Sequence, residues 1–566
     1  MGAVSSVPRS SSSLLRAHTT GSFSRLILES EAALGNYQMG IVFTLLQSYI
    51  ISMRLITPLS YLGLIALAFY DFNLGRIPYA MILLFCCSEA LFFPYQLWKF
   101  NQVNAFVELE HFAESWEDRL SFFHKCFDAM MCAASGTIPY KMAGRGNVYL
   151  KRAVEEWFFG TPLSAIKRDN YAEWNAWAFF HQGLDTLEPW QRKENDILVD
   201  MFEEKLGVKL EPGKNPDAIC ARLNLDPVFA TQRPFTIYAA IYVVNQLSHF
   251  GLWLLGYRKI IDCSTGTLNM YQRTAKLSGK SRHQPSLLQK ASITSPPERT
   301  RKVKLPVVFL HGIGIGLPAY MPLIASLPAD VDVFLLECPH IAMQMSTAVP
   351  SIHETKEVIR CALQKYGHSQ ACFVAHSLGT TIVSWLLRDP KYAPLVGSTV
   401  LLDPVTFLLC DPSVATNFVY RQPTNAVDLA MHYFCARELY ISQAISRYFS
   451  WSHNILFAED LLPVQNAVNH TSTNTHGRKK LLQHEDGVRH TIILSSFDSL
   501  VPVGPVSRYL EIKKQQFQTD GTDCFELYMF HGFHGEMMCY PTWIKILANR
   551  IRKRCVLLEE EVNDEM

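Results

Sequence analysis

Ser377 lies in "ACFVAHSLGTTIVSWLL", where the apolar run Ala371–Ala375 meets His376, Ser377, Leu378 and Gly379 and an amphipathic stretch follows. A serine held on a sharp turn between a strand and a helix needs small residues two positions before and after it, because the turn brings the two backbones together. Ala375 and Gly379 supply them. Such a serine can be a nucleophile, although a serine capping the helix that follows would be of the same type. A hydroxyl near its free pKa is a poor nucleophile and needs a base, itself oriented by an acid. Two later stretches offer both: "SSFDSLVP" carries Asp498, and "HGFHGEMM" carries His531 and His534. His534 is the preferred base, with His531 as runner-up, because Gly535 and a helix expected from Glu536 leave His534 on the loop rather than at the strand edge. Asp403, in "LLDPV", is the runner-up acid, or else a turn former ahead of Pro404. The glycine-rich "HGIGIG", His311–Gly316, can turn backbone N–H groups onto an oxyanion, each donor being worth roughly 3 kcal/mol, or can be a plain turn.

Elements must bring these groups together. From Leu305 onward short apolar runs alternate with helical segments, which predicts parallel βαβ units. The strand candidates are "VVFL" (307–310), "VDVFLL" (331–336), "ACFVA" (371–375), "STVLL" (398–402), "TIILSS" (491–496) and "FELYMF" (525–530). Their continuous apolarity suits strands buried on both faces, and active groups of such sheets gather beyond the carboxyl ends of the strands. On these residues the chain resembles the α/β-hydrolase family, whose serine turn is G-x-S-x-G; Ala375 departs from it by one methyl group. The resemblance covers roughly residues 303–555. It implies a mostly parallel sheet, the chain order Ser377, Asp498, His534, and oxyanion donors at the amides of Ile313 and Leu378. It also implies that the insertion between Asp403 and Thr491, roughly 85 residues and too long for a simple loop, is a helical cap (405–489) roofing an acyl pocket. The hydrolase domain is thus expected at 305–404 and 490–555.

The preceding half reads differently. Residues 41–99 are apolar with few charges, and Leu55–Tyr70 and Ile77–Trp98 are about long enough to cross a hydrocarbon core about 30 Å thick, so a membrane hairpin is expected; a buried helix pair is the alternative. Residues 100–262 space their apolar residues at three and four, predicting an α-helical, membrane-associated region with a dense aromatic stripe for packing or membrane contact. Phe235–Tyr257 is uncharged but holds Asn245, Gln246, Ser248 and His249, which leaves a third crossing and an interfacial or core helix both open. Residues 263–304, rich in serine, threonine and base, are expected to be a flexible linker. The opening M-G-A-V-S-S fits N-myristoylation at Gly2, the acid-free start of residues 1–40 fits a transit peptide, and a disordered tail fits equally.

Fifty-two lysines and arginines against 51 acids give no reason to expect a nucleic-acid partner. The 14 cysteines form no C-x-x-C pair and read as reduced, buried thiols; no metal and no cofactor is expected. Asn469 begins an N-x-T sequon. The expected protein is a membrane-anchored serine hydrolase of apolar, lipid-like esters. An acyltransferase using the same triad, or a non-catalytic scaffold of the same fold, are the alternatives.

Overall fold

The computed structural model describes residues 13–70, 72–73, 75–109, 115–135, 143–276, 301–462, 479–484 and 486–562. Gly2, the sequon at Asn469 and the bases from Lys280 to Arg299 lie outside these. The described residues form two bodies, one of them the chain up to Ala90 with Gln422–Phe434, the other Leu91–Arg421 with Cys435 onward.

The second body is built on an eight-stranded sheet in the order β1-β2-β5-β4-β6-β7-β9-β10. Its strands are β1 (Arg258–Lys259), β2 (Asn269–Arg273), β4 (Val307–Leu310), β5 (Val333–Glu337), β6 (Ala371–His376), β7 (Val396–Leu402), β9 (His490–Ser495) and β10 (Phe525–Phe530). From β5 to β10 every pairing is parallel; β2 runs antiparallel to both β1 and β5. All six apolar runs therefore became strands of this sheet. Val307, Phe309, Val333, Leu335, Val374 and Val400 are buried on one face of its centre and Val308, Phe334, Phe373 and Leu401 on the other, which is why these runs do not alternate. A smaller antiparallel sheet joins β3 (Arg301–Lys304), β11 (Val556–Val562) and β8 (Lys479–Gln483).

Three expectations are corrected. The segment 263–304 is not one linker: β2 lies within it and is hydrogen-bonded into the main sheet, and β3 closes it. Not all cysteines are thiols, because Cys263, just ahead of β2, forms a disulfide with Cys361 on the helix Ile352–Lys365. The insertion 405–489 is helical from Ser413 to Leu461 in short turns but ends in a strand, β8.

Among the described residues two helices are long and apolar enough to cross a membrane, Gly40–Phe69 of α1 (Ser13–Phe69) and α2 (Arg76–Val103). Most of their apolar side chains, including Leu45, Leu59, Leu62, Leu84 and Leu91, point outward rather than into a core. The helices α3 (Trp116–Ala134), α4 (Ala143–Trp157), α5 (Arg168–Phe180) and α6 (Pro189–Leu206) belong to the second body. Their aromatic stripe is packing: Trp157, Trp177, Phe179 and Phe180 are buried. In α7 (Phe235–Leu254) two polar residues of the middle have partners in this body, His249 Nε2 at 3.0 Å from the buried Glu337 carboxylate of β5 and Asn245 accepting from Gln344 in the loop that follows. This face is seated on the protein, which does not fit a third crossing.

Candidate active site

β6 delivers Ser377 to a one-turn 3-10 helix, Ser377–Gly379, that leads into the helix Thr380–Leu387. Ser377 has φ of 51°, a left-handed conformation that costs a non-glycine residue on the order of 1–3 kcal/mol and that puts its hydroxyl at the crest of the turn. Gly379 is required by close approach. A methyl group added there would stand 2.5 Å from the Leu310 carbonyl oxygen and 2.7 Å from that of His311, both backbone atoms of the neighbouring strand end. Gly379→Ala is expected to push β4 and the serine turn apart, cost about 3 kcal/mol as an overpacked core does, and lower both Tm and active-serine content; an unchanged Tm would show that the turn yields freely.

Ser377 Oγ lies 2.9 Å from His534 Nε2, and His534 Nδ1 lies 2.6 Å from Asp498 Oδ2. The other oxygen of Asp498 accepts the backbone N–H groups of Leu500 and Val501 at 2.8 and 2.9 Å, which fixes the carboxylate in its loop. With Nδ1–H donating to Asp498, Nε2 is left to accept the Ser377 proton. The structure thus brings together the three residues preferred from sequence. His531 stands elsewhere: exposed, its ring packed on Phe497 with centroids 4.6 Å apart and its Nδ1 3.3 Å from Ser496 Oγ.

Asp403 does not orient the imidazole directly. Fully buried after β7, also at positive φ (43°), it accepts from the N–H and the hydroxyl of Ser495 at 2.7 and 2.9 Å and from the Gly535 N–H at 2.7 Å. It therefore ties the ends of β7 and β9 to the residue after His534. Burial pushes the Asp403 carboxyl upward, against the pull of His534. Burial alone would lower His534, but the charge and hydrogen bond of Asp498, with the charge of Asp403, outweigh it and raise the imidazole to about 9. One donor atom from each of Asp403, Asp498 and His534 falls within 4.8 Å of the others, a spacing that three ligands of a metal could share. Here the carboxylate oxygens accept from N–H and O–H donors, which a cation would have to displace.

Ile313 and Leu378, the expected oxyanion pair, line one apolar pocket with Ser377; its walls include Val405, Leu409, Phe418 and Leu500. Trp157 and Trp177 close it from α4 and α5, so its roof draws on both the 405–489 insertion and the region before α7. One site residue had no signal in the sequence. The Tyr320 hydroxyl accepts the Gly312 N–H at 3.0 Å and meets His376 Nδ1 at 2.8 Å, fixing the glycine turn against the serine turn. Gly312 itself leaves no room for a side chain, since a methyl group would fall 2.8 Å from Ser377 Cβ.

A serine on a strand-to-helix turn of a parallel sheet, followed in chain order by an acid and then a histidine, is the α/β-hydrolase arrangement. This chain has the α/β-hydrolase fold, by its strand order, its parallel pairings and the place of the serine turn. No protein-family model matches the sequence, and no curated protein matches it. Among solved structures, a membrane phospholipase A aligns at 13% identity over 56% of this chain and 93% of its own, with a TM-score of 0.29. The carboxylesterase CesB of Bacillus subtilis aligns at 11% identity over 56% and 97%, TM-score 0.28, and naproxen esterase of the same organism at 14% over 54% and 96%, TM-score 0.29. Within the α/β-hydrolase fold of this chain, α3 to α7 precede the sheet's central strands and the disulfide Cys263–Cys361 ties the β1–β2 edge to the layer of helices.

Proposed function

We propose that this chain is a membrane-attached serine hydrolase that cleaves esters of apolar acyl groups, lipids among them, through an acyl-enzyme. The observation that carries the reading is the continuous line Ser377 Oγ, His534 Nε2, His534 Nδ1, Asp498 Oδ2 at 2.9 and 2.6 Å, opening onto an apolar pocket. Ser377 attacks the ester carbonyl as His534 takes its proton; Asp498 holds the imidazole tautomer and stabilises the imidazolium. The amides of Ile313 and Leu378 receive the oxyanion. His534 then protonates the departing alcohol, and a water activated by the same imidazole releases the acid. The dry wall around Ser377 favours an acyl chain over a polar acid, since apolar area removed from water contributes roughly 25 cal/mol per Å².

The test is a panel of esters graded by acyl length, given to membranes holding the wild type or Ser377→Ala. Activity is expected with apolar acyl groups and at background with the variant; hydrolysis by folded Ser377→Ala at the wild-type rate overturns the reading. Attachment rests on the outward-facing apolar helices Gly40–Phe69 and Arg76–Val103. The protein is expected in the pellet after carbonate washing, and its release into the supernatant would show that the two helices do not enter the bilayer.

A further inference from the structure

Beside the apolar pocket at Ser377 lies a second cavity of about 260 Å³, and the two share Leu378, Ile445 and Phe449. They differ in chemistry. The first is walled by aliphatic and aromatic side chains. The second sets Trp385 and Tyr448 among polar groups from several elements, including His340, Ser351, Thr355 and Asn454. Among the described residues no lysine or arginine lines it, and its one carboxylate, Glu108, is exposed.

We propose that the second cavity receives the alcohol half of the ester, and that this alcohol is uncharged and bears at least one free hydroxyl, as a glycerol unit does. The assignment rests on the serine-hydrolase reading above. Leu378, whose amide would hold the carbonyl oxygen, lines both cavities, so each half of one ester has a place beside it. His340 lines the second cavity with a half-buried ring. Burial holds the His340 imidazole down to about 3, so the ring is neutral. A hydroxyl can pair with a neutral imidazole in either tautomer, since it both donates and accepts. A phosphate brings a charge that meets no cation here and faces Glu108, and burying a charge unpaired is costly.

The experiment measures kcat/KM of the purified full chain for three substrates sharing one acyl group: a monoacylglycerol, the ethyl ester and a lysophosphatidylcholine. The monoacylglycerol is expected to lead both others at least tenfold. His340→Phe should lower the ratio of monoacylglycerol to ethyl ester at least tenfold, and His340→Asn, which returns a hydrogen-bonding group to that wall, should restore most of it. Fluorophosphonate labelling reports how much of each preparation is folded and active. An unchanged ratio in labelled His340→Phe, an equal loss on both esters, or a wild-type preference for the lysophospholipid overturns the assignment. A wild type that neither labels nor cleaves any of the three instead brings down the hydrolase reading, and this assignment with it.

Discussion

Ser377→Ala is expected to abolish labelling by a fluorophosphonate probe and to lower kcat for ester hydrolysis by about 10⁴-fold or more, the scale on which a serine triad fails when its nucleophile is removed. That loss is about 5.5 kcal/mol of transition-state stabilisation, too large for packing around a small buried hydroxyl to explain. His534→Ala should do the same, because Nε2 at 2.9 Å is the base in reach of the Ser377 proton. Asp498→Asn should cost about 10⁴-fold through the wrong imidazole tautomer while leaving the fold intact. The three act as one device, so Ser377→Ala combined with His534→Ala should be scarcely worse than either alone. Additive losses would mean that the residues act separately. His531→Ala serves as the internal contrast: exposed and turned to Ser496, it should keep wild-type labelling. Labelling lost with His531→Ala and kept with His534→Ala would move the base and require a rearranged loop.

What the sequence revealed of this arrangement follows from where the physics is local. Buried parallel strands must be apolar along their whole length, so "VVFL", "ACFVA" and "TIILSS" announce themselves, and the groups at their carboxyl ends can be read in turn. The strand β2 could not be read that way. Its residues, Asn269–Arg273, are mostly polar because partners elsewhere in the fold satisfy them: Arg273 donates to the carbonyls of Leu327 and Pro328, and Tyr271 to Glu337. The disulfide Cys263–Cys361 spans 98 residues and has no spacing signature. The pocket roof escaped for the same reason, since Trp157 and Trp177 lie some 200 residues before the serine they cover, a distance no local pattern bridges. Asp403 was visible as a carboxylate after a strand, but its partners Ser495 and Gly535 come from the end of β9 and from the histidine loop. A single residue type could not distinguish a catalytic acid from a clamp on the histidine loop.

That distinction has a pH signature. The acid limb of kcat/KM reports the free enzyme's base, which must be neutral to accept the serine proton. His534 is raised to about 9 by Asp498 first and Asp403 second, so the wild-type limb should lie on the alkaline side of the ordinary imidazole value near 6.5, and activity should fall as pH drops through it. Asp403→Asn removes one of the two carboxylates facing the ring. The imidazolium loses stabilisation, its pKa falls, and the limb should move toward lower pH by about one unit, the low end of what an opposite charge at this range supplies. The substitution also sets an amide nitrogen where an oxygen accepted the Gly535 N–H, while the Ser495 N–H can keep its acceptor. Loss of one charge-assisted hydrogen bond, roughly 1.5 kcal/mol, should lower kcat about tenfold. Asp403→Asn is therefore expected to remain labelled by the fluorophosphonate, more slowly above the wild-type limb, and relatively faster at low pH. If its limb stays in place while kcat falls, Asp403 is a clamp alone and its charge does not reach the base. If it loses labelling as completely as Asp498→Asn, the orienting acid is Asp403, and the 2.6 Å contact between His534 and Asp498 is not the one that catalysis uses.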